Sequence, residues 1–189
     1  MQNQAVFITG IGLISSLGEG VDHHWNKLND PTVTPNLDCI NFSPYTVHKL
    51  TSVDWNQQIP KRSDQRQTDQ TNRKKKPLKD TISKMLKMMK AQSSFAISAA
   101  SGFNEITKIE QNILDDANIS YRGVTTLFGY LREAQFPLAL ALAAIAVKKK
   151  SSFPTLSTHE KSFLKEVHEV FVTTIGIKRA EGMARLTAV

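Results

Sequence analysis

A cysteine can act as a nucleophile only when a cation or a helix start lowers its pKa and an imidazole stands ready beside it. The single cysteine of this chain, Cys39, lies in the stretch LDCINFSP, where no motif surrounds it. It has no second cysteine with which to close an intrachain disulfide or build a zinc ribbon. The expectation for Cys39 is a half-buried small side chain. The five histidines, His23, His24, His48, His159 and His168, are not spaced with one another or with carboxylates as a metal site requires, so surface or interface positions are expected for all of them.

Phosphate chemistry has two candidate carriers. Ile8-Thr9-Gly10-Ile11-Gly12 follows an apolar run, and glycines there would let backbone N–H groups approach a pyrophosphate. The dinucleotide fingerprint fails at its third position, which is Ser15, and the next glycine comes only at Gly18. The second carrier is the basic segment from Lys61 to Lys90, which contains Lys74-Lys75-Lys76. It accounts for the whole net charge of +7, the remainder of the chain being close to neutral. Contacts from it to phosphates would be nonspecific and salt-sensitive. No aromatic residue lies between Lys61 and Ser94 to stack on a base, so a solvated face or tail is expected and no specific nucleic acid.

The elements that would have to position these residues follow from pattern. Ala5–Thr9 is apolar and β-branched and predicts a buried strand running into a glycine-punctuated loop. Asp22 is placed as the N-cap of a short helix over His23–Leu28. From Asn29 to Gln58 prolines and polar residues predict loops, and Gln65–Lys76 is too polar to pack. Leu78, Ile82, Met85, Leu86 and Met89 recur at helical spacing. Phe95–Ala99 predicts a strand, Glu105–Ala117 an amphipathic helix and Tyr121–Phe128 another strand. Ala134–Lys150 (AQFPLALALAAIAVKKK) is apolar on nearly every side, the mark of a central helix in a layered α/β domain, with Lys148–Lys150 at the end that favours cations. Val170–Ile177 and Met183–Val189 predict a closing hairpin.

A length of 189 residues with 40% hydrophobic and 22% charged side chains suits one globular domain with a real core. Phe136–Val147, the longest apolar stretch, is too short to cross a bilayer, so no membrane span is expected. No basic region precedes the first apolar run and no small-residue cleavage site follows it, which makes the cytoplasm the expected location.

The chain resembles the β-ketoacyl-acyl-carrier-protein synthases, members of the thiolase-like α/β superfamily. At its start the likeness rests on Val6-Phe7-Ile8-Thr9-Gly10-Ile11-Gly12, Ser16-Leu17-Gly18 and Trp25-Asn26-Lys27-Leu28. At its other end it rests on Gly123–Pro154 (GVTTLFGYLREAQFPLALALAAIAVKKKSSFP), similar to a glycine-histidine pair before a long buried helix, and more loosely on the last two strands around Gly176 and Gly182. It covers roughly residues 5–67 and 83–189. The wording Arg132–Pro137 is similar to divergent members of bacterial lipid assembly.

The resemblance implies an incomplete thiolase-like fold in three parts: residues 1–67, a basic and poorly ordered junction at 68–82, and residues 83–189. It also implies fatty acid or lipid biosynthesis, with acyl-chain elongation from an acyl thioester and malonyl-carrier protein by a cysteine, two histidines and a lysine. This chain departs at each position. The segment that would carry the cysteine is missing between the matching portions. Ala99 stands at the first histidine position, Tyr130 at the second, Thr125 at the lysine, and Ile177 where phenylalanine commonly follows glycine. Neither alanine nor tyrosine can replace an imidazole tuned near neutral pH. The expectation is a truncated acyltransferase-family remnant with no catalytic residues, no cofactor and no metal. Its implied partners are acyl carrier protein and either a full-length ketosynthase or a second copy of itself. The alternatives are an accessory subunit of the chain-length-factor type and, more weakly, a basic module for nucleic acid or anionic lipid. Removing strands around an all-apolar helix would leave a large exposed patch.

Overall fold

The computed structural model describes residues 7–50, 77–88, 95–176 and 181–188. The expected strand at Ala5–Thr9 is not formed in its described part, Phe7–Thr9, which is irregular and exposed. A strand needs a neighbour to take its N–H and C=O groups, and pairing starts only beyond the glycines. There Ile14–Ser15 (β1) pairs antiparallel with Gly18–Glu19 (β2). The helix that follows, Val21–Leu28 (α1), begins one residue before Asp22, so Asp22 sits in the first turn rather than at the cap. That position belongs to Gly20, whose φ of 92° suits glycine. Inside the stretch expected to be loops, Leu37–Asp38 (β3) and Val47–His48 (β4) form a small hairpin.

Leu78–Met88 (α2) buries Leu78, Ile82 and Leu86, one per turn, so order begins within the segment expected to be a junction at 68–82. The polar run at 65–76, the loop expectation for 51–58, Met89 and Ile177 lie outside the described residues. Then come Phe95–Ala100 (β5), Asn104–Asp116 (α3), Ser120–Gly123 (β6), Thr125–Phe128 (α4), a 3-10 turn at Arg132–Ala134, Gln135–Lys149 (α5), Glu169–Ile175 (β7) and Glu181–Thr187 (β8). The strand expected over Tyr121–Phe128 thus stops at Gly123. The remainder coils into α4, which turns Val124, Leu127 and Phe128 together into the core at i, i+3, i+4 spacing.

The sheet order is β6-β5-β7-β8, parallel for its first three strands and antiparallel at β8, which confirms the expected C-terminal hairpin. Alternation along β5 sends Phe95, Ile97 and Ala99 to one face, where they join Leu138, Leu142 and Ala146 of α5. Ala96 lies on the other face with Leu78 and Ile82 of α2, Ile113 and Leu114 of α3, and Tyr121 and Phe171. The fold is therefore mixed α/β, with helices on both faces of a mostly parallel sheet.

The outer side of α5 is not left bare. Ile11, Val21, Trp25 and Val33 pack on the same cluster, and Phe136 and Leu140 are partly buried there. The exposed large apolar side chains include instead Ile40, Phe42 and Tyr45, between β3 and β4. Among the described residues no helix is long and apolar enough to cross a membrane.

Leu142 lies at the centre of the α5 layer and is 1% exposed. Leu142→Ala is expected to lower unfolding stability by about 3 kcal/mol. Met88→Ala, at a side chain 73% exposed on α2, should stay within about 0.5 kcal/mol of the parent. Urea midpoints at unchanged m-value measure both.

Candidate functional site

In open α/β sheets, ligands bind beyond the carboxyl ends of the strands where successive connections leave to opposite faces. Here β5 hands the chain to α3 on one face, while its parallel neighbour β6 hands it to α4 and α5 on the other. At that point opens a cleft of about 300 Å³, lined by Ser98, Ala100 and Gly102 from the β5 end, Gly123 and Thr125 from the β6 end, and Thr107 and Gln111 from α3.

Its far wall is the loop at 151–168, contributing Ser157, His159 and Glu160. The buried Arg122 of β6 fastens this loop. Its Nε donates to Phe153 O at 2.9 Å, and a terminal nitrogen donates to Tyr121 O at 2.8 Å and Lys161 O at 3.0 Å. The guanidinium also lies over the Phe95 ring, 5.3 Å from its centroid. Glu160 faces it at 3.9 Å and accepts from the N–H groups of Gly123 and Leu156. Burial pushes the Glu160 carboxyl above its ordinary range, while these N–H groups and Arg122 pull it down.

Behind Ser98 stands Glu110 of α3, wholly buried. Ser98 Oγ donates to its Oε2 at 2.5 Å. Burial pushes the Glu110 carboxyl up, and the hydroxyls of Ser98 and Thr173 act in the other direction. Tyr121, on the same side of the sheet, is pushed up to about 12, first by burial and then by the negative charges of Asp115, Glu160 and Glu110.

The residues singled out in the sequence fall partly here. Thr125 Oγ1 donates to Ala100 O at 2.6 Å and accepts from the buried Gln135 Nε2 at 2.9 Å, so Thr125 stands beside the end of β5, where Ala99 is buried toward α5. Tyr130 is half-buried in the turn between α4 and α5 and makes no hydrogen bond among the described residues. Gly129 before it has φ of 70°, and a Cβ there would collide with the His48 imidazole, so that turn requires glycine. Cys39 is exposed, not half-buried, and its contact is Thr46 Oγ1 at 3.8 Å. The short hairpin leaves it beyond the core. His159 lines the cleft without a hydrogen bond to serine or carboxylate among the described residues. No group of His, Cys, Asp and Glu fit for a metal occurs among the described residues. Of the basic segment, Lys79, Lys84 and Lys87 are exposed on α2.

Surface or interface positions are expected for all five histidines, whereas His24 is fully buried within the fold. Its Nδ1 lies 2.6 Å from Gly20 O and so carries the proton, which leaves Nε2 to accept from Ser15 Oγ at 2.7 Å. The ring stacks on Phe128. Ser15 is 5% exposed, so this pair ties the β1–β2 hairpin to α1 instead of facing a substrate. Its nine-residue separation follows no sequence pattern. His48 is half-buried, with Nδ1 donating to Leu127 O at 2.9 Å.

No family model, curated protein or solved structure matches the chain.

Burial holds the His24 pKa below its ordinary value, against the pull of Gly20 O and with a smaller contribution from His23. As pH falls through the ordinary imidazole value, the unfolded chain takes up a proton that the folded chain refuses. Stability from His24 is therefore full above that value and lost below it. Urea unfolding of the parent and His24→Gln between pH 8 and 5 should show the parent losing stability relative to the variant on the acid side only.

Proposed function

We propose that this chain is a β-ketoacyl synthase-family protein with an incomplete thiolase-like fold that does not carry out condensation. The observation that carries the reading is the contact of Thr125 Oγ1 with Ala100 O, at 2.6 Å. It sets Thr125 beside the end of β5, one residue from Ala99, whose methyl group faces α5, so two positions that the resemblance assigns to chemistry lie near one another. Further support comes from α5, an apolar helix packed against the sheet, in keeping with the long buried helix that the resemblance implies.

The side chains at these positions cannot run the reaction. Ala99 offers a methyl group, the Thr125 hydroxyl is already committed to a carbonyl, and a phenol stands at Tyr130. Acyl transfer needs a thiolate, and Cys39 is exposed on the β3–β4 hairpin. Incubation with acyl- and malonyl-carrier proteins should give no β-ketoacyl product, and the double variant Ala99→His, Tyr130→His should give none either. Turnover by the parent would overturn the reading.

A second reading, an accessory subunit of a full-length synthase, is favoured by exposed Ile40, Phe42 and Tyr45. It predicts stoichiometric co-purification with such a synthase, weakened at least tenfold by Ile40→Ser with Phe42→Ser. Recovery of this chain alone would end it.

A further inference from the structure

The four-stranded sheet has two edges, and the chain treats them differently. At β6 the chain itself takes up outward backbone groups. Gly123 N–H donates to Glu160 Oε1 at 2.8 Å, and Tyr121 O accepts from the Arg122 guanidinium at 2.8 Å. The other edge is β8. Its neighbour β7 buries most of its residues, whereas every residue from Glu181 to Thr187 keeps some exposure.

Alternation fixes which groups of β8 face outward. In an antiparallel ladder every second residue exchanges its hydrogen bonds with the partner strand, and the residues between turn theirs away. Ala188 N–H donates to His168 O at 3.1 Å, and the register runs unbroken from Thr187 opposite Glu169 to Glu181 opposite Ile175. Gly182, Ala184 and Leu186 therefore bond to β7. Met183, Arg185 and Thr187 present their N–H and C=O groups at the edge, where these meet no partner among the described residues. Edge strands are ordinarily shielded by proline, lysine, bulges or shortness. β8 has seven residues, without proline, lysine or bulge.

We propose that β8 is a homodimerisation edge, pairing antiparallel with β8 of a second copy about a two-fold axis at Ala184 and joining two sheets into one. The register follows from the strand itself. Outward groups can bond only to outward groups, and Ala184 is the midpoint of Glu181–Thr187, so this axis pairs the whole strand. An axis at Met183 would leave Leu186 and Thr187 beyond the paired strands. An axis at Arg185 would set two guanidiniums directly opposite, which is unfavourable. At Ala184, Arg185 instead faces Met183 of the second copy and lies diagonal to its Glu181, so the strand complements itself in charge as well as in hydrogen bonding. This surface is separate from the β3–β4 hairpin and does not depend on the family reading.

Sedimentation equilibrium of the full chain over a wide concentration range should show monomer and dimer in exchange. Arg185→Pro removes an edge N–H that the chain's own ladder does not use, and should weaken the dimer about tenfold or more with the far-UV circular dichroism unchanged. Arg185→Ala keeps that N–H and should dimerise within about threefold of the parent. Should Arg185→Pro not fold, cross-linking still decides. In a Cys39→Ser background, Ala184→Cys places two thiols at a directly opposed pair without hydrogen bonds, close enough for an intermolecular disulfide, whereas Thr187→Cys places them at opposite ends of the paired strands. Ala184→Cys should therefore cross-link much faster. A chain that stays monomeric throughout, a dimer indifferent to Arg185→Pro, or equal cross-linking at the two positions would overturn the proposal.

Discussion

Every residue of β5, Phe95–Ala100, is buried. A strand buried on both faces must be flanked by strands that take its backbone hydrogen bonds and covered above and below by helices. β6 and β7 provide the flanks in parallel register, and parallel pairing forces long connections between them. Those connections are α3 on one face and α4 with α5 on the other. The three-layer arrangement is thus a consequence of one strand that can tolerate no exposed side.

The same requirement shapes the polar features. Alternation points Ser98 into the layer beneath α3, and a hydroxyl there must find a partner, which Glu110 supplies. Glu110 in turn brings a carboxyl into a region with no matching positive charge. One residue along β6 from Tyr121, Arg122 points the opposite way and is fully matched by carbonyls, a carboxylate and an aromatic face. These two groups contrast: Arg122 fastens the loop at 151–168, while Glu110 ties α3 to the sheet through the Ser98 hydroxyl.

The N-terminal segment acts on the far side of α5. Leu127 O accepts from His48 Nδ1 and Ser16 Oγ, and His24 stacks on Phe128, so residues far apart in sequence hold the end of α4. That grip fixes the turn through Gly129 and Tyr130 and the approach of Thr125 to the end of β5. The apolar residues of α1 and its flanks then cover the part of α5 that the sheet does not reach.

Hydrophobic periodicity determined α2 and α3, whose apolar repeat only a helix can bury on one face; α5 was legible from a long, uniformly apolar run, and β5 and the C-terminal hairpin from short runs rich in apolar and β-branched residues. It misplaced the N-terminal strand and the second half of Tyr121–Phe128, where an apolar run suits a strand or a helix equally and only neighbouring elements choose. Tertiary structure also decided the burial of His24, the exposure of Cys39 and the meeting of Ser98, Glu110 and Thr173. These depend on which surfaces meet across separations of nine to seventy-five residues, and local sequence carries no record of such meetings.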